Sequence, residues 1–71
     1  MTRKFSVIIE RDADGYYVGT IPELRGCHTQ ARSLDELMIR IREAAELCLE
    51  SQIDGLEQLD FVGVQTISVA S

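Results

Sequence analysis

Apolar and polar residues first alternate along this chain and then recur at helical spacing. From Lys4 to Arg11, Phe5, Val7 and Ile9 take every second position, with Ser6, Ile8 and Glu10 between them. That period predicts a strand with one clearly apolar face. Asp12-Ala13-Asp14-Gly15 follows, a turn sequence in which Asp initiates and Gly accepts positive φ. Tyr16 to Ile21 is rich in aromatic and β-branched residues and predicts a second strand, close enough to the first for an antiparallel hairpin. Pro22 has no N–H to offer a ladder, so Pro22-Glu23-Leu24-Arg25-Gly26 reads as a bend. A short third strand is expected over Cys27-His28-Thr29-Gln30-Ala31.

The period then changes. Leu34, Leu37, Met38, Ile41, Ala44, Ala45 and Cys48 recur as one face of a helix. Ser33-Leu34-Asp35-Glu36 opens it as a capping box, and both acids suit the positive end of the helix dipole. Asp54-Gly55 supplies a stop. Phe61 to Ala70 predicts a last strand, with Val62 and Val64 on one face and Ile67 and Val69 on the other. The phase change near Gln65-Thr66 fits either a bulge or burial of both faces, as at a subunit interface. The expected fold is therefore α+β in β-β-β-α-β order: a three-stranded antiparallel sheet plus a C-terminal strand, with one helix on one face. A single helix covers only one face of a sheet, so the other is left to solvent or to a second molecule.

Size narrows this further. At 71 residues the chain fits a single domain, residues 1–71. A domain this small buries only about 60% of its unfolded surface, which leaves a thin stability margin and favours self-association. No apolar run approaches the roughly 20 residues that span a bilayer. The stretch behind Arg3-Lys4 is broken by Ser6 and stopped by Glu10, short of a signal peptide's apolar region. A cytoplasmic location is expected, with no membrane association. The two cysteines, Cys27 and Cys48, are far apart in sequence and read as reduced, buried thiols.

Charge changes the picture more than composition does. The net charge is −5, and it is unevenly placed. Every Lys and Arg lies in the first 42 residues, whereas Glu43, Glu46, Glu50, Asp54, Glu57 and Asp60 follow without a single base. Nucleic-acid binding by the chain itself requires a basic face that displaces counterions, and none is present. An acidic half attracts a basic partner, or simply keeps a small protein in solution.

The residues of catalysis are missing. There is no Gly-rich phosphate loop and no Gly-x-Ser-x-Gly elbow. Cys27 and His28 are adjacent, so on a strand they point to opposite faces and do not form a nucleophile–base pair. Asp12 and Asp14 are explained by their turn. Two-metal nuclease chemistry needs clustered carboxylates, and Glu10 is the lone acid inside a predicted strand. No enzyme activity, cofactor or metal is expected. Candidate partner-binding residues are Tyr17, Glu23, Glu46 and Glu50, each of which also fits an ordinary solvent-facing role.

The ordered set of elements is distinctive. Ile8 to Arg11 leads into Asp14-Gly15-Tyr16-Tyr17, a second strand ends in Pro22-Glu23-Leu24, Gly26-Cys27-His28-Thr29 follows, and Ser33-Leu34-Asp35-Glu36 opens the helix. Over about residues 5 to 50 this resembles the N-terminal domain of the HicB antitoxin family. The resemblance implies a partial ribonuclease-H-like fold. It implies an antitoxin of a type II toxin–antitoxin system, neutralising a small, basic, HicA-like mRNA-cleaving ribonuclease by direct protein binding. It also implies a homo-oligomer, dimer or tetramer. Two departures stand out. The chain ends at Ser71, which leaves no room for the C-terminal DNA-binding domain of many relatives, and Gln30-Ala31-Arg32-Ser33 replaces their usual Gly-Asp/Glu-Thr lead into the helix. The alternative expectation is a stand-alone homo-oligomeric binding protein of the same fold with no toxin partner.

Overall fold

The computed structural model describes residues 3–51 and 59–70. Three strands, β1 (Ile8–Arg11), β2 (Tyr17–Thr20) and β3 (His28–Ala31), are followed by one helix, α1 (Leu34–Ser51), among the described residues. The sheet is antiparallel throughout, in the order β1-β2-β3. Its register sets Ile9 opposite Gly19 and Gly19 opposite Thr29, so β1 and β3 are both edge strands. This is the α+β arrangement expected from the sequence, as far as the helix.

The first turn forms because Asp12 satisfies it from both ends. Its carboxylate accepts the N–H groups of Asp14 and Tyr16, each at 2.9 Å, and its own N–H donates to the Tyr16 carbonyl at 2.9 Å. Gly15 takes φ +88°, a conformation that strains a side chain carrying Cβ. Asp12 is thereby committed to the backbone, as expected of a turn residue.

β1 is shorter than the Lys4–Arg11 alternation suggests, and the reason is Pro22. Continuing the register past Ile8 and Thr20 brings Ser6 opposite Pro22, which has no N–H for the ladder. The Ser6 N–H instead donates to the Glu23 carboxylate, at 3.0 Å to Oε2 and 3.3 Å to Oε1. The Pro22–Gly26 bend is more than a connection. Ile21 N–H reaches the Cys27 carbonyl at 2.9 Å across its neck, and Gly26 at φ +74° lets the chain return. The loop folds Leu24 inward until it is 1% exposed.

The helix opens where its cap predicts. The Glu36 N–H donates to Ser33 Oγ at 3.1 Å. The Glu36 carboxylate pairs with Arg40 at 2.9 Å, one turn on. Arg40 also donates to the Gln30 carbonyl at 2.9 Å and so ties the helix to β3. The buried stripe is Leu37 and Ile41, with Ala44, Ala45, Cys48 and Leu49 half-buried along its continuation. Together with Ile21, Leu24, Cys27 and Ala31 these residues make the core. Gly19 lets the helix sit close: a Cβ there would lie 3.4 Å from both methyl groups of Leu37 and from Val7. The helix packs on β3 and β2 and leaves β1 to one side. Ile9 is consequently 45% exposed, although it alternates with the core positions Phe5 and Val7.

Residues 59–70 run without helix, turn or ladder. The strand expected over Phe61–Ala70 thus has no pairing partner within the single chain among the described residues. The helix stop at Asp54-Gly55 lies outside the described residues.

Candidate functional site

Three regions could carry function, and they differ in how far their polar groups are already committed. The first is a shallow depression beside the β1–β2 turn, lined by Asp14, Gly15, Tyr16 and Arg32. Arg32 lies over the Tyr16 ring at 5.4 Å, and its Nη2 and Nε donate to the Tyr16 hydroxyl at 3.1 and 3.3 Å. Its guanidinium is engaged by a neighbour that strand pairing supplies, since Tyr17 and Ala31, the residues next to each, are directly opposite. The arrangement stiffens the turn and presents no set of convergent donors to a ligand.

The second region is the thiol pair. Cys27 is buried in the core, and Cys48 packs against it from the helix. Both are free. Burial first, and the neighbouring Cys48 thiol second, push the Cys27 thiol up to about 12. It is held in its protonated, unreactive form at neutral pH, because the thiolate is the nucleophile. His28, next to it in sequence, is exposed on the opposite face of β3. The strand geometry separates the two as alternation requires.

The third region is the outer face of α1. Glu43, Glu46 and Glu50 recur three and four residues apart and are all exposed. Among them sits Leu47, 65% exposed, with Ile39 two turns before at 64%. Apolar side chains surrounded by like-signed charge are more informative than isolated exposed leucines, since they combine a desolvation gain with electrostatic selection. This stripe lies opposite Leu37, Ile41 and Cys48, so α1 is amphipathic and yet carries two large apolar residues on its wet side.

The four candidate residues from the sequence do not converge. Glu46 and Glu50 share the outer face of α1, one turn apart. Tyr17 is half-buried at the start of β2, opposite Arg11, whose guanidinium lies 5.9 Å from the ring centre. Glu23 lies beyond the far end of β2, about 20 Å along the strand direction from Tyr17, and is engaged with Ser6. Ile39 and Leu47 were missed, although both fall outside the Leu37–Ile41–Cys48 stripe and were visible on that ground. No group of His, Cys, Asp and Glu among the described residues is placed to hold a metal ion. No helix among them is long and apolar enough to cross a membrane.

Sheet order and a capped helix on one face define a small α+β fold of β-β-β-α order among the described residues. Residues 5–69 match the family described as HicB-like antitoxin of a bacterial toxin–antitoxin system, and the chain belongs to that family. A UPF0150 protein of Archaeoglobus fulgidus is 56% identical over 66 residues, covering 93% of this chain and 94% of its own length. One from Synechocystis is 46% identical over 67 residues, covering 94% and 96%. A third, from Thermotoga maritima, is 38% identical over 66 residues, covering 92% and 88%.

Proposed function

We propose that this chain acts as an antitoxin that neutralises a small, basic, HicA-like mRNA-cleaving toxin by binding it directly, without catalysis, in the cytoplasm. Membership of the antitoxin family supports the role. The observation that carries the binding mode is the outer face of α1, where Glu43, Glu46 and Glu50 surround the exposed Leu47. A ribonuclease must offer a positive surface to its phosphate substrate. An acidic stripe of this kind competes for the same surface, steers encounter by charge and gains affinity from burying Leu47 and Ile39. Glu46 and Glu50 therefore lead among the sequence candidates. Tyr17 and Glu23 take a lesser part, because both already have intrachain partners. Self-association into a homo-oligomer belongs to the same reading, and the exposed apolar residues of 61–70 favour it.

The test is rescue of growth by co-expression with the product of an adjacent gene that encodes a small basic protein. Wild-type chain is expected to restore growth and to co-purify with that product. Charge reversal of Glu46→Lys with Glu50→Lys should abolish both while leaving the helical circular dichroism unchanged. Failure of the wild-type chain to rescue growth or to bind would overturn the antitoxin reading. Rescue that survives the double reversal would move the interface off α1.

A further inference from the structure

The segment after α1 and a groove beside β1 are complementary halves of one contact. Within 61–70, Val62 is 95% exposed, Ile67 80%, Val69 74% and Val64 70%. The segment Phe61–Ala70 contains no charged residue. A stretch with apolar side chains on both faces and an unpaired backbone is costly to leave in water and is a template for pairing.

The acceptor is an open groove of about 280 Å³ between the lead into β1 and the helix. Its apolar lining is Phe5, Val7, Ile21, Met38, Ile41 and Ala45, and Arg3 and Arg42 complete the wall. It exists because α1 lies over β2 and β3 and leaves β1 aside. The outer edge of β1, from Ile8 to Arg11, has no ladder partner among the described residues, since β2 occupies only its inner side. Met38 at 44% and Ile9 at 45% exposure mark the same uncovered side.

Resting on the self-association just proposed, we infer that Phe61–Ala70 of one copy adds as a fourth strand to the free edge of β1 in a second copy, seating its side chains in the groove beneath α1. The occupant is a second copy because the chain's own segment is not seated there: Val62, Val64, Ile67 and Val69 are bare, with Phe61 alone partly covered at 36% exposure, while the groove stands open. Ten residues of strand run about 33 Å, enough to follow the whole edge. Exchange between two copies is reciprocal, so the contact occurs twice and closes with twofold symmetry. The contact also accounts for the phase change at Gln65-Thr66. One apolar face enters the groove and the other is shielded where the two copies meet. The full four-stranded β-β-β-α-β sheet is then completed between chains.

The experiment is sedimentation velocity on the full chain at tens of micromolar, with two variants. Val64→Asp spoils the donated strand, and Met38→Glu spoils the accepting groove at a position exposed enough to tolerate charge. Wild type is expected to sediment as a dimer or a multiple of it, and each variant alone as a monomer. An equal mixture of the two variants should recover a dimer weaker than wild type, because Met38→Glu still donates and Val64→Asp still accepts, which restores one of the two contacts. A wild-type monomer would sink both this inference and self-association. A dimer untouched by Val64→Asp or by Met38→Glu would sink this inference alone, as would folded variants that stay monomeric when mixed. Hydrogen exchange on the wild-type chain keeps the question decidable if a variant does not fold. Amides of 61–70 should be protected in the dimer and lose protection on dilution to monomer. Protection that persists in the monomer, or none at any concentration, overturns the exchange.

Discussion

The body of the molecule and its C-terminal segment are built from similar material with opposite results. In the body, Val7, Ile21, Leu37 and Ile41 alternate or recur on one face and are buried or half-buried. In the segment, Val62, Val64, Ile67 and Val69 alternate as clearly and remain 70–95% exposed. The difference is the neighbour. β2 has β1 on one side, β3 on the other and α1 over its face. Residues 61–70 have no ladder on either side among the described residues. Apolar alternation states what a segment needs, and the second strand and the covering layer decide whether the need is met.

The sharpest break in the comparison is truncation of the same kind of side chain in each region. Leu37 is fully buried, against Gly19 and under the sheet. Leu37→Ala should cost about 2–5 kcal/mol, since it loses the transfer term and leaves a cavity. In a domain with little stability to spare, that amounts to unfolding near physiological temperature. Thermal unfolding followed by circular dichroism would show it. A loss below about 1 kcal/mol would mean that α1 does not rest on the sheet as described.

Of intermediate size is the helix cap. Ser33 Oγ accepts the Glu36 N–H at 3.1 Å, and the Glu36 carboxylate is turned to Arg40. Half of the capping box is therefore in use, and Ser33→Ala should cost about 1 kcal/mol by urea denaturation. Ser33→Asp should retain nearly all of the stability, because it keeps the acceptor and suits the helix dipole. An equal loss in both variants would show that the cap contributes nothing here.

These contrasts also show what could be read from the sequence. The hairpin, the Ser33 cap and the Leu37–Ile41 stripe were legible because each depends on neighbours within a turn or across a short loop. Leu24 was not, because its burial depends on the Pro22–Gly26 loop folding back on the core, a tertiary event with no local period. The early end of β1 was half-legible: Pro22 was visible as a ladder breaker, but its pairing position opposite Ser6 needed the register. On the surface, the charge split drew attention to Glu46 and Glu50, whereas Ile39 and Leu47, outside the apolar stripe, were left without a role until their exposure among the acids was seen. The alternation of 61–70 predicted a last strand, and the described residues form no ladder there, since strand pairing is a property of two segments.

The smallest expected effect is the most discriminating. Val62, at 95% exposure, touches almost nothing in the single chain. Val62→Ser should change the stability of the monomer by no more than about 0.5 kcal/mol, as for any surface position without a partner. The same substitution at high protein concentration should lower the unfolding midpoint, because anything that binds only the folded state stabilises it by mass action. A wild-type midpoint that rises with concentration, and a Val62→Ser midpoint that rises less, would place the missing neighbour of this segment in another molecule. A concentration-independent loss of the size seen for Leu37→Ala would mean instead that Val62 is buried within its own chain, and the contrast between the two regions would disappear.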